Sequence, residues 1–124
     1  TGVPELAELR LSHSNLAGTF PSEILRMMYL RELSLDFNDL TGSIPDQLSD
    51  LSNLMFLTLD DNALTGSIPT SIGNLAKLEA LQMQNNILVG ELPTELQKLT
   101  ALETLDLSGQ RDTGNSGGIR GKLL

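Results

Sequence analysis

Residues Leu40–Leu54, LTGSIPDQLSDLSNL, and Leu64–Leu78, LTGSIPTSIGNLAKL, carry one pattern twice, 24 positions apart. Each copy opens on leucine and glycine, turns at Ile-Pro and closes with apolar residues at helical spacing. The same interval runs along the chain in both directions. Pro21, Pro45, Pro69 and Pro93 lie 24 apart, each three residues after a glycine, Gly18, Gly42, Gly66 or Gly90. Starting repeats at Leu6, Leu30, Leu54, Leu78 and Leu102 yields the frame LxxLxLxxNxLxGxIPxxLxxLxx, with seven apolar slots. All 28 slots of the four complete repeats are apolar in a chain that is 40% hydrophobic. Chance agreement with a frame fixed beforehand is about one in ten to the eleventh. A unit this short cannot bury its own leucines, so the copies must stack.

Each part of the frame has a local meaning. The LxLx stretch alternates with period two, so Leu33 and Leu35 point inward while Glu32, Ser34 and Asp36 point outward. Successive strands are joined by crossovers, which predicts parallel pairing of right hand. Asn38, Asn62 and Asn86 follow the strands, where their amides can satisfy backbone groups left open by the turn. The glycines permit a positive φ or a close approach, and the prolines stiffen the turn before a single helical or 3₁₀ turn. The ends depart from the frame, with Ser14 and Gln110 in place of asparagine. Ile119 to Leu123 resembles the Leu-Thr-Gly-Ser-Ile part of a repeat displaced by seven residues within SGQRDTGNSGG. One domain over 1–124 is expected, with an irregular, partly mobile stretch at 108–124. With no polar cap evident, the chain is expected to be a fragment or the end of a domain with an improvised cap.

LTGSIPDQLSDLSNL and LTGSIPTSIGNLAKL resemble the plant-specific, 24-residue class of leucine-rich repeats, over about residues 6 to 107. The resemblance implies an α/β fold: a right-handed solenoid with a concave parallel β-sheet, short 3₁₀ or helical convex segments, and a further short sheet from the LxGxIP segment. Similar repeats build the ectodomains of receptor-like kinases and receptor-like proteins, and the polygalacturonase-inhibiting proteins. It implies recognition of a protein or peptide through the concave face, at the cell surface or outside the cell. Family ectodomains carry capping cysteine pairs and glycosylation sites. This chain has no cysteine and no Asn-x-Ser/Thr sequon, which leaves an intracellular setting open.

Composition narrows the function further. Sixteen acidic residues against eight basic ones give a net charge of −8. That balance disfavours nucleic acid and anionic membranes and favours a neutral or basic partner. Only the last residues reverse it, with Arg111, Arg120 and Lys122 against Asp112. Without cysteine there is no disulfide, thiolate metal site or cysteine nucleophile. No apolar run reaches the length of a membrane span, and no basic-then-apolar leader opens the stretch.

The frame also names the outward columns of the concave strands. They read Glu8, Glu32, Phe56, Ala80, Thr104; then Arg10, Ser34, Thr58, Gln82, Asp106; then Ser12, Asp36, Asp60, Gln84, Ser108; and beside these His13, Phe37, Asp61, Asn85, Gly109. Two of the four aromatic residues, Phe37 and Phe56, stand there next to Asp36, Asp60 and Asp61. Rings with acidic neighbours form an anchor for a basic or mixed peptide, with Arg10, His13, Gln82 and Gln84 on the same face. The plain alternative is that carboxylates solvate the sheet while rings cover the core edge. Other chemistry has less behind it. Ser12, His13 and Asp36 lack an implied pocket or oxyanion donor. The aspartates lack a loop that wraps a calcium ion. GGIRGK departs from the phosphate-loop pattern at Ser116 and Leu123. The chain is therefore expected to be a binding module without cofactor or catalysis; a structural spacer or self-assembling segment is the alternative.

Overall fold

The computed structural model describes residues 5–111 and a strand at 119–120. The five LxLx stretches become β1 (Glu8–Arg10), β3 (Glu32–Ser34), β5 (Phe56–Thr58), β7 (Ala80–Gln82) and β9 (Thr104–Asp106). They pair in parallel, in sequence order, as one five-stranded sheet. The register is the repeat itself: Leu9, Leu33, Leu57, Leu81 and Leu105 stand opposite one another. A one-residue slip would turn these leucines to solvent, so burial locks the register.

The LxGxIP segments form a parallel ladder on the flank, from β2 (Ala17–Thr19), β4 (Asp39–Ser43) and β6 (Ala63–Thr65), and β8 (Gly90–Glu91) continues that flank in a two-stranded sheet of its own. Ile87 and Val89 N–H groups donate to the Leu64 and Gly66 carbonyls at 2.8 and 2.9 Å, carrying the ladder from β6 to β8. The glycines there adopt φ between 75° and 91°. The final strand β10 (Ile119–Arg120) pairs with β8, Ile119 opposite Gly90. Partners in this ladder are otherwise 22 apart, as Gly42 and Leu64 are; here the separation is 29. Seven residues are inserted, as the sequence pattern predicts. Residues 1–4, 112–118 and 121–124, which include most of the stretch expected to be irregular and mobile, lie outside the described residues.

Each Ile-Pro or its equivalent leads into a five-residue 3₁₀ turn: Ser22–Arg26, Asp46–Asp50, Thr70–Asn74 and Thr94–Lys98. The proline carbonyl accepts the first turn bond each time, from Ile24, Leu48, Ile72 or Leu96 N–H. Side chains from sheets and turns meet in one core running through the stack, in which the leucines of the second and third repeats are closed to solvent. The first repeat differs. Leu9, Leu11, Leu16 and Met27 are only partly buried and Leu6 is 44% exposed, because β1 is an edge strand with neighbours on one side.

Beneath the strand ends lies a ladder of buried amides. Asn62 Oδ1 accepts the Leu40 N–H at 3.0 Å, and its Nδ2 donates to the carbonyls of Leu35, Leu59 and Asp60 at 2.9 to 3.2 Å. Asn38 and Asn86 repeat the arrangement. Gln110 extends it with one more methylene, taking the Leu88 N–H and giving to Met83 O. Asn62→Ala leaves several buried backbone groups without partners, and should cost about 2–4 kcal/mol in urea unfolding; a loss below about 1 kcal/mol would deny the ladder its role. Gly73 marks a second tight point. A Cβ there would lie 2.6 Å from the Glu95 carbonyl oxygen, so Gly73→Ala, normally favourable in a helical turn, should lower stability by about 1–3 kcal/mol.

Candidate functional site

The concave face begins with backbone geometry. His13, Phe37, Asp61, Asn85 and Gly109, one per repeat, all have positive φ, from 54° to 68°. This left-handed turn aims the N–H of His13, Phe37, Asp61 and Asn85 at the carbonyls of Asp36, Asp60, Gln84 and Ser108, at 2.9 to 3.2 Å. Asn, Asp and Gly tolerate that conformation best, and the column at Asp61, Asn85 and Gly109 spells it out. Phe37 does not suit it. The residue is 47% exposed and its ring stacks on the His13 imidazole, with centroids 4.5 Å apart and planes 12° from parallel.

Phe56, 41% exposed, borders a cleft of about 180 Å³ with Glu8, Arg31, Glu32 and Met55. Arg10 serves a neighbouring acid: its guanidinium grips Glu32 through two 3.0 Å hydrogen bonds and approaches Glu8 at 3.2 Å. The Glu32 carboxyl is accordingly held below its ordinary value, chiefly by the Arg10 hydrogen bond. Gln82 sits in register between Thr58 and Asp106 on the fourth strand of the sheet.

Asp36, Asp60, Asp61 and Gln84 come together on adjoining strand ends, but not equally. Asp36 accepts the Ser12 hydroxyl at 2.6 Å and the Thr58 hydroxyl at 3.4 Å. Asp61 accepts the Asn85 amide at 3.2 Å. Asp60, expected on the exposed surface, is instead 6% exposed. Alternation gives the direction of a side chain and not its depth. Desolvation, with Asp61 and Asp36 beside it, pushes the Asp60 carboxyl up to about 6. The Oε1 atom of Gln84, buried as well, meets no donor among the described residues. Ser12 spends its hydroxyl directly on Asp36 and His13 is stacked on Phe37, so the three do not line up as a nucleophile and base. One contact carried no signal in the frame: Arg111 reaches back two repeats to donate to the Asn62 carbonyl at 2.9 Å, beside Asp39 and Asp61.

With sheet, asparagine ladder and 3₁₀ turns in place, the comparison with known proteins is direct. The leucine rich repeat pattern matches residues 4–64 and again 77–99, and the chain belongs to that family. Its structural relatives place it with the plant type. A plant peptide hormone receptor, RGFR1 in complex with RGF2, is 38% identical with a TM-score of 0.83, over 86% of this chain and 17% of that one. The BIR3–SERK2 complex from Arabidopsis thaliana is 38% identical with a TM-score of 0.82, over 93% and 58%. A plant ice-binding protein is 31% identical with a TM-score of 0.74, over 83% and 34%. The chain thus spans between about a sixth and three fifths of these relatives. Among curated proteins, no relative matches. Receptor ectodomains and an ice-binding protein share one solenoid, so the fold leaves function to its surface.

Asp60 offers a test by pH. Its folded value of about 6 exceeds the ordinary 3.8, so the folded state holds the extra proton between the two. Its contribution to stability is therefore present below about pH 4 and lost as pH rises through 6. Asp60→Asn should raise stability at pH 7 by about 1–2 kcal/mol. The gain should shrink toward nothing at pH 4, measured by urea unfolding of both proteins across that range.

Proposed function

We propose that this stretch is a recognition module that holds a protein or peptide, neutral or basic in character, against its concave face. Relatives crystallised with a peptide hormone or a protein partner support the general reading. One observation carries it for this chain. Phe37 occupies a left-handed position that the same column fills elsewhere with Asp61, Asn85 and Gly109, and it leaves nearly half its surface in water. A bulky residue there costs about 1–2 kcal/mol of backbone strain. Half-exposed, with a stacked imidazole as its ring contact, it gives little core in return. The strain is offset if the ring serves a partner.

In this reading Phe37, on its His13 platform, and Phe56, over its cleft, anchor the partner's apolar groups. Asp36, Asp60 and Asp61 between them set its charge preference. Gln82 and Gln84 supply amide contacts along the sheet. Arg10, already engaged by Glu32, positions the acidic edge more than it attracts a ligand.

A stability–binding trade-off tests this. Phe37→Asn should match or exceed the parent in urea unfolding, by up to about 1 kcal/mol. Combined with Phe56→Ala it should weaken a partner selected from a peptide library at least about tenfold. Undiminished affinity in the folded double variant would remove the concave face from the function.

A further inference from the structure

At the entry to the concave strands the chain bends, because two successive N–H groups meet one carbonyl of the repeat before. Met55 and Phe56 both donate to the Arg31 carbonyl, at 2.8 and 3.0 Å, and Glu79 and Ala80 do the same to Met55. Strict alternation would send such neighbours to opposite faces; the bend lets both reach the rim of the sheet. In the first, fourth and fifth repeats this rim carries an acid, Glu8, Glu79 or Glu103. The second repeat brings Arg31 beside Glu32, and only the third presents an apolar pair, Met55 and Phe56. These two unlike rims adjoin, and with Glu8 they line the cleft of about 180 Å³. Its carboxylates are already served: Arg10 bonds Glu32 twice at 3.0 Å and lies 3.2 Å from Glu8. Arg31 is exposed, and among the described residues its guanidinium has no hydrogen-bond or ion-pair partner.

We infer that this cleft receives one aromatic side chain of the partner, with the ring face on the Arg31 guanidinium and the ring edge toward Met55 and Phe56. The inference rests on the concave-face reading above and names the side chain that one part of that face selects. Size sets the first limit. The cleft of about 180 Å³ lies below the roughly 300 Å³ at which small-molecule pockets begin, which leaves room for a single side chain. Chemistry sets the rest. A guanidinium is planar and weakly hydrated, and one with no acid of its own stacks readily on a ring. The Met55 thioether favours a ring edge, and Phe56, itself 41% exposed, favours an offset or edge-to-face neighbour. An aliphatic side chain would meet the apolar wall and leave the cation without a counterpart. A carboxylate would meet Arg31 but enter between Glu8 and Glu32, which repel it. A lysine would find carboxylates that Arg10 already holds, with a second cation beside them.

The test is nuclear magnetic resonance of the full 124-residue chain, titrated with acetylated tripeptide amides of sequence Gly-Phe-Gly, Gly-Leu-Gly, Gly-Glu-Gly and Gly-Lys-Gly. The phenylalanine peptide should move the Met55 methyl by ring current and the Arg31 side-chain N–H, and bind at least about fivefold more tightly than the leucine peptide. Arg31→Met keeps an unbranched stem without the charge; it should cut that preference to below about twofold while the rest of the spectrum stays in place. Equal binding of leucine and phenylalanine would make the cleft an unselective apolar wall and overturn the inference. Preference for the glutamate or lysine peptide would overturn it too, since charge pairing would then outweigh stacking. Shifts confined to Phe37 and His13, with Arg31, Met55 and Phe56 unmoved, would remove the aromatic seat and leave the concave reading standing. Silence at the cleft toward every peptide also removes the seat, while the double variant at Phe37 and Phe56 judges the concave face by itself.

Discussion

The rest of the structure depends on a buried carboxamide that faces two ways. Beneath the three inner strand ends an asparagine accepts from the preceding repeat and donates both to that repeat and to its own turn, and Gln110 does the same beneath the last. Leucine burial gives the stack its driving force, but greasy contact alone tolerates sliding. The amide does not, because each of its bonds is directional and shielded from water. Main-sheet register, the left-handed turn and the entry to the flank ladder all follow from where that group sits.

This economy leaves the concave face with little room to vary. The strand residues are bound in register and the leucines are committed to the core. Variation falls on the outward columns, and even there the backbone imposes terms. The column of His13, Phe37, Asp61, Asn85 and Gly109 must adopt positive φ, so a large side chain in it works against the turn. The adjoining column is packed deeply enough to desolvate a carboxyl at Asp60. Both departures from what stability favours lie within the same two repeats. Local conflict of this kind, in a chain otherwise consistent at every level, concentrates where a protein meets something else.

Much of this was legible in the residues. The flank ladder was expected from the family resemblance alone, but the 24-residue interval read out the strands, their parallel order and the 3₁₀ turns, because each depends on a side chain repeated in kind. The seven-residue displacement before Ile119 was readable for the same reason. Solvent depth was not. Alternation says that Asp60 faces outward, yet the residue is only 6% exposed. The Arg10–Glu32 clasp and the reach of Arg111 to Asn62 likewise depend on long side chains whose paths no periodic frame encodes. The left-handed column could have been recognised from Asp61, Asn85 and Gly109, but Phe37 and His13 mask the trend.

The spacing of the bonds has one further consequence. Side-chain bonds between repeats recur at separations of 22, 24 and 27 positions, and the insertion before β10 shifts a backbone pairing of 22 to 29 without breaking it. The repeats are therefore interchangeable parts. A whole unit can be gained or lost by unequal recombination, and a loop can lengthen between strands, with every surviving bond finding an equivalent partner. Length becomes the cheapest trait for evolution to alter, while the handful of side chains that break the rhythm carries the individuality of each descendant.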